Sequence, residues 1–278
     1  MHCVFLGLSM LALLPLVYLI DTSLKPHATE TDPCCILWGF EPSWENYKAA
    51  FYEQFGGTVE WASHAQTLNF GAYFANSLLV GLSVTVINVI LCSLAGYSLA
   101  KYRFRGRNLL FSFVLATMFI PLPAMLVPLY VVTTQLGMVN SYAGLIVPVC
   151  VDGFAIFLIR QFSMGIPDEY IDAARADGSS ELGIFFGIVL PLLTPAVVFV
   201  SVYEFIKNWN SMLWPLVVIG SDELKTFPVA IMQFHTVNYV LYNLISCVAV
   251  IAIIPPIVLF ILTRKYYRRM MWAGLAGA

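Results

Sequence analysis

The sequence predicts an all-α membrane protein with six transmembrane helices. Of its 278 residues, 60% are hydrophobic and only 11% are charged, and the mean hydropathy is +0.82. A soluble domain carries about a quarter charged residues, so this chain has too little polar surface for a water-exposed globule. Apolar stretches long enough to cross a bilayer of about 30 Å recur along the chain. Each should be helical, because lipid offers backbone groups no hydrogen-bond partner.

Six apolar runs define the predicted spans, which cover residues 4–20, 74–100, 109–132, 145–162, 191–213 and 241–263. The first has neither a basic segment before it nor a small-residue cleavage site after it. We therefore interpret it as a retained helix rather than a signal peptide. Apolar residues precede the fifth span from Ile184 onward, but Pro191 and Pro195 suit the first turn of a helix and favour the later start.

The basic residues predict that both termini lie in the cytoplasm. With six spans and the C-terminus inside, ten of the fourteen Lys and Arg residues are cytoplasmic, as the positive-inside rule requires. Residues 21–73 then form an external loop that is long enough to carry short helices of its own. The cytoplasmic residues are Lys101, Arg103, Arg105, Arg107, Arg160, Arg175, Arg264, Lys265, Arg268 and Arg269, and the external ones are Lys25, Lys48, Lys207 and Lys225.

Several kinds of site are not predicted. The net charge of −2 and the lack of a basic face outside the membrane-flanking clusters argue against nucleic-acid binding. Three of the six cysteines lie in predicted spans, Cys3 directly precedes the first span, and the adjacent Cys34 and Cys35 would bridge only with strain, so we expect no disulfide framework. The histidines lack metal-ligand spacing, and no group of side chains resembles a catalytic cluster. We expect no catalytic residue, metal or cofactor on this chain.

The loop between the fourth and fifth spans, residues 164–190, predicts a short helix that stands off the membrane. Pro167 suits its first turn, and Asp168 suits its positive N-terminal end. Gly178 is where such a helix would stop in a left-handed conformation, and Ser179 or Ser180 can cap the next helix. The result is a helix of about ten residues, roughly 15 Å long.

This predicted helix has small and charged residues that suit a protein partner. Ala173 and Ala174 would let a partner surface approach closely, while Asp172, Arg175 and Asp177 offer charge at the edges. The alternative is an amphipathic helix that lies on the bilayer, although interfacial helices usually carry more Lys and Arg than this one.

The same loop resembles the "EAA" loop of binding-protein-dependent ABC importers, in particular the carbohydrate (maltose-type) permeases. Their pattern is Glu-Ala-Ala, three residues, Gly, and a spacer that ends in Ile-x-Leu-Pro. Here the corresponding residues are Asp172-Ala173-Ala174, Gly178 and Ile188-Val189-Leu190-Pro191, with Asp in place of the first Glu. The resemblance extends from about Asn76 to the end of the chain and includes Asn76-Ser77, Trp209-Asn210 and Thr226-Phe227-Pro228-Val229.

The resemblance implies a permease in the cytoplasmic (inner) membrane of a prokaryote, with a cytoplasmic coupling helix of the EAA type. The implied partners are a homologous second permease, two cytoplasmic ATPase subunits and an external solute-binding protein. The residues implied in ATPase coupling are Asp172, Ala173, Ala174, Arg175, Asp177 and Gly178. ATP and Mg would bind the partner ATPase. The residues agree with this division, because no lysine in the sequence follows a glycine as a phosphate-binding loop requires.

Polar residues within the spans are candidates for a solute path. Asp152 lies in the fourth predicted span, Glu204 and Lys207 lie in the fifth, and charges at membrane depth usually face a cavity or a partner. A polar and aromatic lining for a sugar would consist of Asp152, Glu204, Asn208, Trp209 and Asn210. The alternative is that Glu204 and Lys207 pair with each other on one helix, near the outer interface.

Three classes of function remain. The first is an importer permease for a sugar or a sugar-like solute such as a glycerol phosphate. The second is an ATP-independent secondary transporter or channel, which would show repeated halves and broken helices with charge at the midplane. The third is an integral membrane enzyme, which the lack of a catalytic cluster disfavours. The sequence does not identify the solute.

Overall fold

The computed structural model describes residues 2–25, 42–51, 70–232 and 242–276, and every regular element in these ranges is helical. The predicted all-α class is confirmed. Cys34, Cys35 and most of the predicted external loop lie outside the described residues. The helices are α1 His2–Ser23, α2 Glu45–Phe51, α3 Phe70–Lys101, α4 Arg107–Thr117, α5 Leu122–Gln135, α6 Tyr142–Ile146, α7 Gly153–Met164, α8 Asp168–Ala176, α9 Glu181–Ile184, α10 Leu190–Leu192, α11 Thr194–Trp209, α12 Leu213–Val218, α13 Phe227–Ile231 and α14 Tyr242–Ala276.

Within these ranges, three helices are long and apolar enough to cross a membrane on their own: Phe5–Ser23, Phe70–Lys101 and Ile245–Tyr266. Three bent pairs pass the same test when each is taken as one span. They are α4 with α5, bent by 107°, α6 and its 3-10 extension with α7, bent by 45°, and the segment Glu181–Leu192 with α11, bent by 81°. Six spans therefore fit the chain if each bent pair crosses the membrane once.

In three of the predicted spans, residues 109–132, 145–162 and 191–213, the helix is interrupted. Pro121 and Pro123 follow the break between α4 and α5, and proline disfavours helical geometry in the residue before it. Pro148 stands in the 3-10 turn Val147–Val149, before Asp152 starts α7. The fifth segment ends at Trp209, and Leu213 already belongs to α12.

Two prolines shape the fifth segment. Pro191 cannot donate a hydrogen bond to the carbonyl one turn earlier, and the preceding residues Phe185–Val189 widen into a π-helical turn. Pro195 stands in the first turn of α11, as predicted. The Thr194 hydroxyl donates to the Pro191 carbonyl at 2.6 Å, which satisfies a backbone group at the bend.

The chain forms two compact units. The first contains residues 1–76 and 225–257. Its apolar core includes Phe70, Tyr73 and Phe227, whose rings meet edge to face. Its polar contacts tie α2 to the end of α1, because the Asn46 amide donates to the Ser23 and Lys25 carbonyls, both at 2.9 Å.

The second unit contains residues 77–224 and 258–278, and it includes both candidate sites. One apolar cluster packs α3 and α7 against α8 and the π-helical turn, with Tyr97, Ile159 and Phe185 among its buried residues. Another packs α3 against α12 around Trp214, whose indole N–H donates to the Gly144 carbonyl at 3.0 Å.

Candidate functional site

The loop 164–190 contains the predicted short helix, α8, which runs from Asp168 to Ala176. Its first turn carries Asp168 and Glu169, where acids complement the positive end of the helix. Gly178 has φ of +81°, so the predicted left-handed stop is confirmed. The Gly178 N–H donates to the Arg175 carbonyl and the Ser179 N–H to the Ala174 carbonyl, both at 3.0 Å, which completes a Schellman end. Ser180 then caps α9 through the Gly183 N–H.

One face of α8 packs against its own chain. Ile171 and Ala174 are buried in the cluster that includes Tyr97 and Phe185. The sequence predicted that both Ala173 and Ala174 would let a partner surface approach, and of the two the Ala174 methyl group packs inside the unit. Ala173 is exposed, as are Asp172 and Asp177.

Lys101, the last residue of α3, holds the N-terminal end of α8. Its ammonium group donates to Asp168 Oδ1 at 2.6 Å and also to the Ile166 carbonyl. The Lys101 side chain is 9% exposed, while that of Asp168 is 72% exposed. Hydrogen bonding and charge from Lys101 lower the pKa of the Asp168 carboxyl below its usual value.

A second group of side chains holds the C-terminal half of α8 to the start of α9. Arg175 donates to Glu181 through Nε at 2.7 Å and Nη2 at 3.2 Å, and to Asp172 Oδ1 at 3.2 Å. The Tyr102 hydroxyl donates to the same Glu181 carboxylate. These bonds to Glu181 raise the pKa of Arg175, and burial raises the pKa of Tyr102. Arg175, which the sequence predicted to offer charge at the edge of the helix, is therefore paired within the chain.

Lys101, Tyr102 and Glu181 were not among the predicted site residues. Lys101 stands 67 positions before its partner Asp168, and Tyr102 stands 79 positions before its partner Glu181. No local pattern signals contacts over such separations. The one available signal was the position of Lys101 in the predicted cytoplasmic cluster that closes the second span.

The second candidate site brings several of the predicted path residues together. Lys207 Nζ lies 2.5 Å from Asp152 Oδ2 and 3.7 Å from Glu204 Oε1. The Asn208 amide donates to the Glu204 backbone carbonyl at 2.8 Å and lies 3.4 Å from Glu204 Oε2. The alternative pairing of Glu204 with Lys207 is therefore present, but the shorter contact of Lys207 is with Asp152, on a different helix.

Trp209 and Asn210 do not join this cluster. Trp209 is buried and stacks on Phe205, with ring centroids 5.8 Å apart, so its indole contributes to packing. Asn210 is the exposed residue at the C-terminal end of α11.

The chain is similar in sequence to membrane components of known transport systems. The family model described as the binding-protein-dependent transport system inner membrane component matches residues 89–272. The chain is 36% identical over 266 residues to the arabinooligosaccharides transport system permease protein AraQ of Bacillus subtilis, covering 95% of this chain and 90% of that protein. It is 32% identical over 205 residues to the sn-glycerol-3-phosphate transport system permease protein UgpE of Pectobacterium atrosepticum, covering 73% of each.

A solved structure shares the fold. It is a chain of a bacterial ABC transporter involved in the import of the acidic polysaccharide alginate, and it superposes with a TM-score of 0.80. The alignment covers 96% of this chain and 95% of that one, at 22% sequence identity.

Proposed function

The chain belongs to the family of binding-protein-dependent transport system inner membrane components, and we propose that it is one permease subunit of an ATP-driven importer. Its solute is a sugar or a sugar-like compound, a class that includes the arabinooligosaccharides and glycerol phosphate named for its relatives. Membership of this family favours the importer over an ATP-independent transporter or channel. It is also a family of transport components and not of enzymes.

The observation that carries the proposal is the way α8 is mounted. A helix of nine residues is held by Lys101 at its N-terminal end and by Glu181 near its C-terminal end. Between these anchors, one face is buried and the other carries exposed Tyr170, Ala173 and Asp177. A helix fixed on one face and free on the other suits a coupling element, because a push on the free face moves the spans behind it.

In this proposal the residues of α8 have different tasks. Ala173 and Asp177, with Asp172 at the edge, form the face that contacts the ATPase. Arg175 and Ala174 fix the helix to the rest of the chain, through the pair with Glu181 and through the buried cluster. Gly178 ends the helix with its left-handed backbone. All six residues predicted to act in ATPase coupling keep a part in it, but Arg175 and Ala174 now support the helix within the chain.

The remaining parts of the importer are supplied by other chains. We assign ATP and Mg to two cytoplasmic ATPase subunits, since no lysine here follows a glycine as a phosphate-binding loop requires. A homologous second permease and an external solute-binding protein complete the assembly. The chain sits in the inner membrane with both termini and α8 in the cytoplasm and with residues 21–73 outside, as the distribution of basic residues favours.

Co-purification tests this function directly. The tagged chain, expressed with its neighbouring gene products, should isolate with an ATPase subunit, and the reconstituted complex should accumulate sugar only when ATP is supplied on the side of α8. Uptake that persists without ATP, or purification of a chain that binds no ATPase, would favour the ATP-independent alternative.

A further inference from the structure

Asp152, Glu204 and Lys207 form a charged cluster that joins two bent spans of the second unit. Asp152 caps α7, because its Oδ1 accepts from the backbone N–H groups of Phe154 at 2.8 Å and Ala155 at 3.1 Å. Its other oxygen contacts Lys207 of α11. Glu204 is fully buried, and among the described residues its Oε1 has no hydrogen bond. That oxygen lies 3.7 Å from Lys207 Nζ, so Glu204 supports the ammonium group from the buried side.

The surface of this cluster does not suit lipid. Charged side chains within spans face a cavity or a partner, because lipid cannot solvate them. The backbone also indicates that this surface does not face lipid, because the helix is interrupted immediately before Asp152, where Val151 is exposed. Interrupted backbone at membrane depth occurs where it is buried in protein or lines a water-filled cavity. The exposed side of the cluster should therefore face water or protein.

An aromatic ring completes this surface. Tyr203 is 38% exposed and packs on Phe154, with ring centroids 4.9 Å apart. The Lys207 ammonium lies 5.8 Å from the Tyr203 ring centroid, and its side chain is 45% exposed. A flat apolar ring beside charged hydrogen-bonding groups complements a sugar, which has an apolar ring face and a rim of hydroxyls.

The charges indicate which kind of sugar fits. With both carboxyls ionised, the cluster of Asp152, Glu204 and Lys207 carries a net charge of −1. If the buried Glu204 keeps its proton, the net charge is zero. Neither state has a surplus of positive charge, whereas recognition of a phosphate or carboxylate calls for unneutralised Lys or Arg.

We propose that Tyr203, Lys207 and Asp152 form a solute-contacting surface of the translocation path, and that this surface accepts neutral, hydroxyl-rich sugars and disfavours anionic ones. Glu204 is a positioning residue that holds Lys207 from behind. This inference rests on the proposed function and narrows its solute to uncharged glycosides.

Cysteine labelling tests whether the surface faces water and what charge it carries. Tyr203→Cys is placed in a chain whose own six cysteines are serine. Val86→Cys, an exposed apolar position on α3, is the matched control. In the reconstituted importer, charged methanethiosulfonates should modify position 203 and leave position 86 unmodified. A position 203 that is as unreactive as position 86 would overturn the proposal.

The charge of the reagent decides between neutral and anionic solutes. The rate with the trimethylammonium reagent is compared with the rate of the sulfonate reagent, each divided by its rate with a free thiol in solution. At position 203 the normalised rate of the trimethylammonium reagent, divided by that of the sulfonate reagent, should be at least one. A ratio roughly ten-fold in favour of the sulfonate would reveal a positive surface and contradict the neutral-sugar assignment.

Transport separates failure of this inference from failure of the proposed function. The parental importer is tested with radiolabelled arabinotriose and lactose, and ATP hydrolysis is measured alongside. Tyr203→Leu should move roughly five-fold less sugar per ATP hydrolysed, because it loses ring stacking, and Tyr203→Phe should resemble the parent. A merely structural role would lower transport and hydrolysis together. If the parent takes up sugar and Tyr203→Leu is unchanged, the inference fails and the function stands. If the parent shows no ATP-dependent uptake of any sugar, the proposed function fails, and labelling still decides whether the surface faces water.

Discussion

Lys101 Nζ lies 2.6 Å from Asp168 Oδ1, so the last residue of α3 is paired with the first residue of α8. The same ammonium donates to the Ile166 carbonyl, just before the helix begins. A long transmembrane helix and a short helix outside the spans are thus joined by one buried side chain. Any displacement of α8 along this direction pulls on the end of α3, which gives coupling a physical route.

Replacement of Lys101 should impair coupling more than replacement of its acidic partner. Lys101→Met removes a donor to a backbone carbonyl as well as the ion pair, whereas Asp168→Ala removes only a largely exposed ion pair, which water screens and which therefore contributes little. We expect Lys101→Met to lower solute-stimulated ATP hydrolysis about five-fold and Asp168→Ala less than two-fold. Lys101→Arg is the control that keeps the charge. Equal, small effects from both substitutions would show that the carbonyl contact is unimportant.

The Asp168 carboxyl should stay ionised throughout the physiological pH range. Its pKa is lowered by Lys101, so its contribution is present above the usual pKa of an aspartate and disappears only as the pH falls through the lowered value. Solute-stimulated ATP hydrolysis of the parent and of Asp168→Asn should therefore have the same pH dependence between about pH 6 and 8. A loss of activity in this range that is present in the parent and absent from the variant would contradict the assignment.

Arg175 and Glu181 should behave as one unit in a double-mutant cycle. Each side chain is substantially exposed, so each alanine substitution should lower the stability of the complex by only about 0.5–1 kcal/mol. Because both remove the same two hydrogen bonds, the double variant should lose less than the sum of the single losses. The measurement is thermal unfolding of the purified complex, with exposed Glu169→Ala as a control. Additive losses would mean that the two residues act independently.

The sequence predicted the helical class and the number of spans that the structure accommodates, because an apolar run of this length in lipid satisfies its backbone hydrogen bonds as a helix. It did not predict the bends, although their causes are visible in it. Pro121 and Pro148 lie inside predicted spans and stand at the interruptions, whereas Pro15 is tolerated inside α1. Pro195 has no N–H for the Pro191 carbonyl, and the Thr194 hydroxyl donates to that carbonyl instead. Such partners, and the bend that accompanies them, emerge only on folding.

In the candidate sites, too, the sequence predicted features that depend on neighbouring residues and not those that depend on contacts between distant residues. Gly178 was predicted correctly because its role depends on its own backbone angle. The burial of Ala174 and of Trp209 depends on elements far away in the chain, and no local pattern predicted it. The contact between Asp152 and Lys207 joins residues 55 positions apart, and charge alone could not specify it.

The orientation predicted from the basic residues can be tested by labelling intact cells. In a cysteine-free background, Lys48→Cys on α2 should react with an impermeant maleimide from outside, because α2 lies in the predicted external loop. Asp177→Cys, at the end of α8, should react only after the membrane is opened. Both native side chains are exposed, so access within the chain is matched. Reversed labelling would place α8 outside the cell and remove it from any cytoplasmic ATPase.

Substitutions at Gly178 should follow backbone preference and not size. A Cβ at this position would meet no atom within 4 Å, so the cost comes from the φ of +81°. Gly178→Ala should therefore cost about 1 kcal/mol in holding the end of α8. Gly178→Asn should be milder, since Asn tolerates the left-handed region, and the β-branched Gly178→Val should be the most severe. Solute-stimulated ATP hydrolysis should therefore be reduced least by Gly178→Asn, more by Gly178→Ala and most by Gly178→Val. A ranking by side-chain volume would indicate a crowded partner surface at this position instead.

In the proposed function, the contact with the ATPase depends most directly on Ala173, the exposed small residue of α8. Ala173→Glu adds a bulky charge on the free face, while the buried contacts of Ile171 and Ala174 stay intact. We expect this variant to insert normally, to lose most ATPase co-purification, and to lower uptake and hydrolysis together, because a desolvated, unpaired charge at an interface is costly. Ala173→Ser is the size-matched control and should resemble the parent.

Ala174→Asp would lower activity for a different reason, since it places a charge in the packed cluster and destabilises the chain itself. The two alanines are therefore distinguished by the thermal stability of the isolated permease, which only Ala174→Asp should reduce. If Ala173→Glu binds the ATPase and transports at the parental rate, the free face of α8 is not the coupling surface. The anchors Lys101 and Glu181 would then serve only to fold the loop.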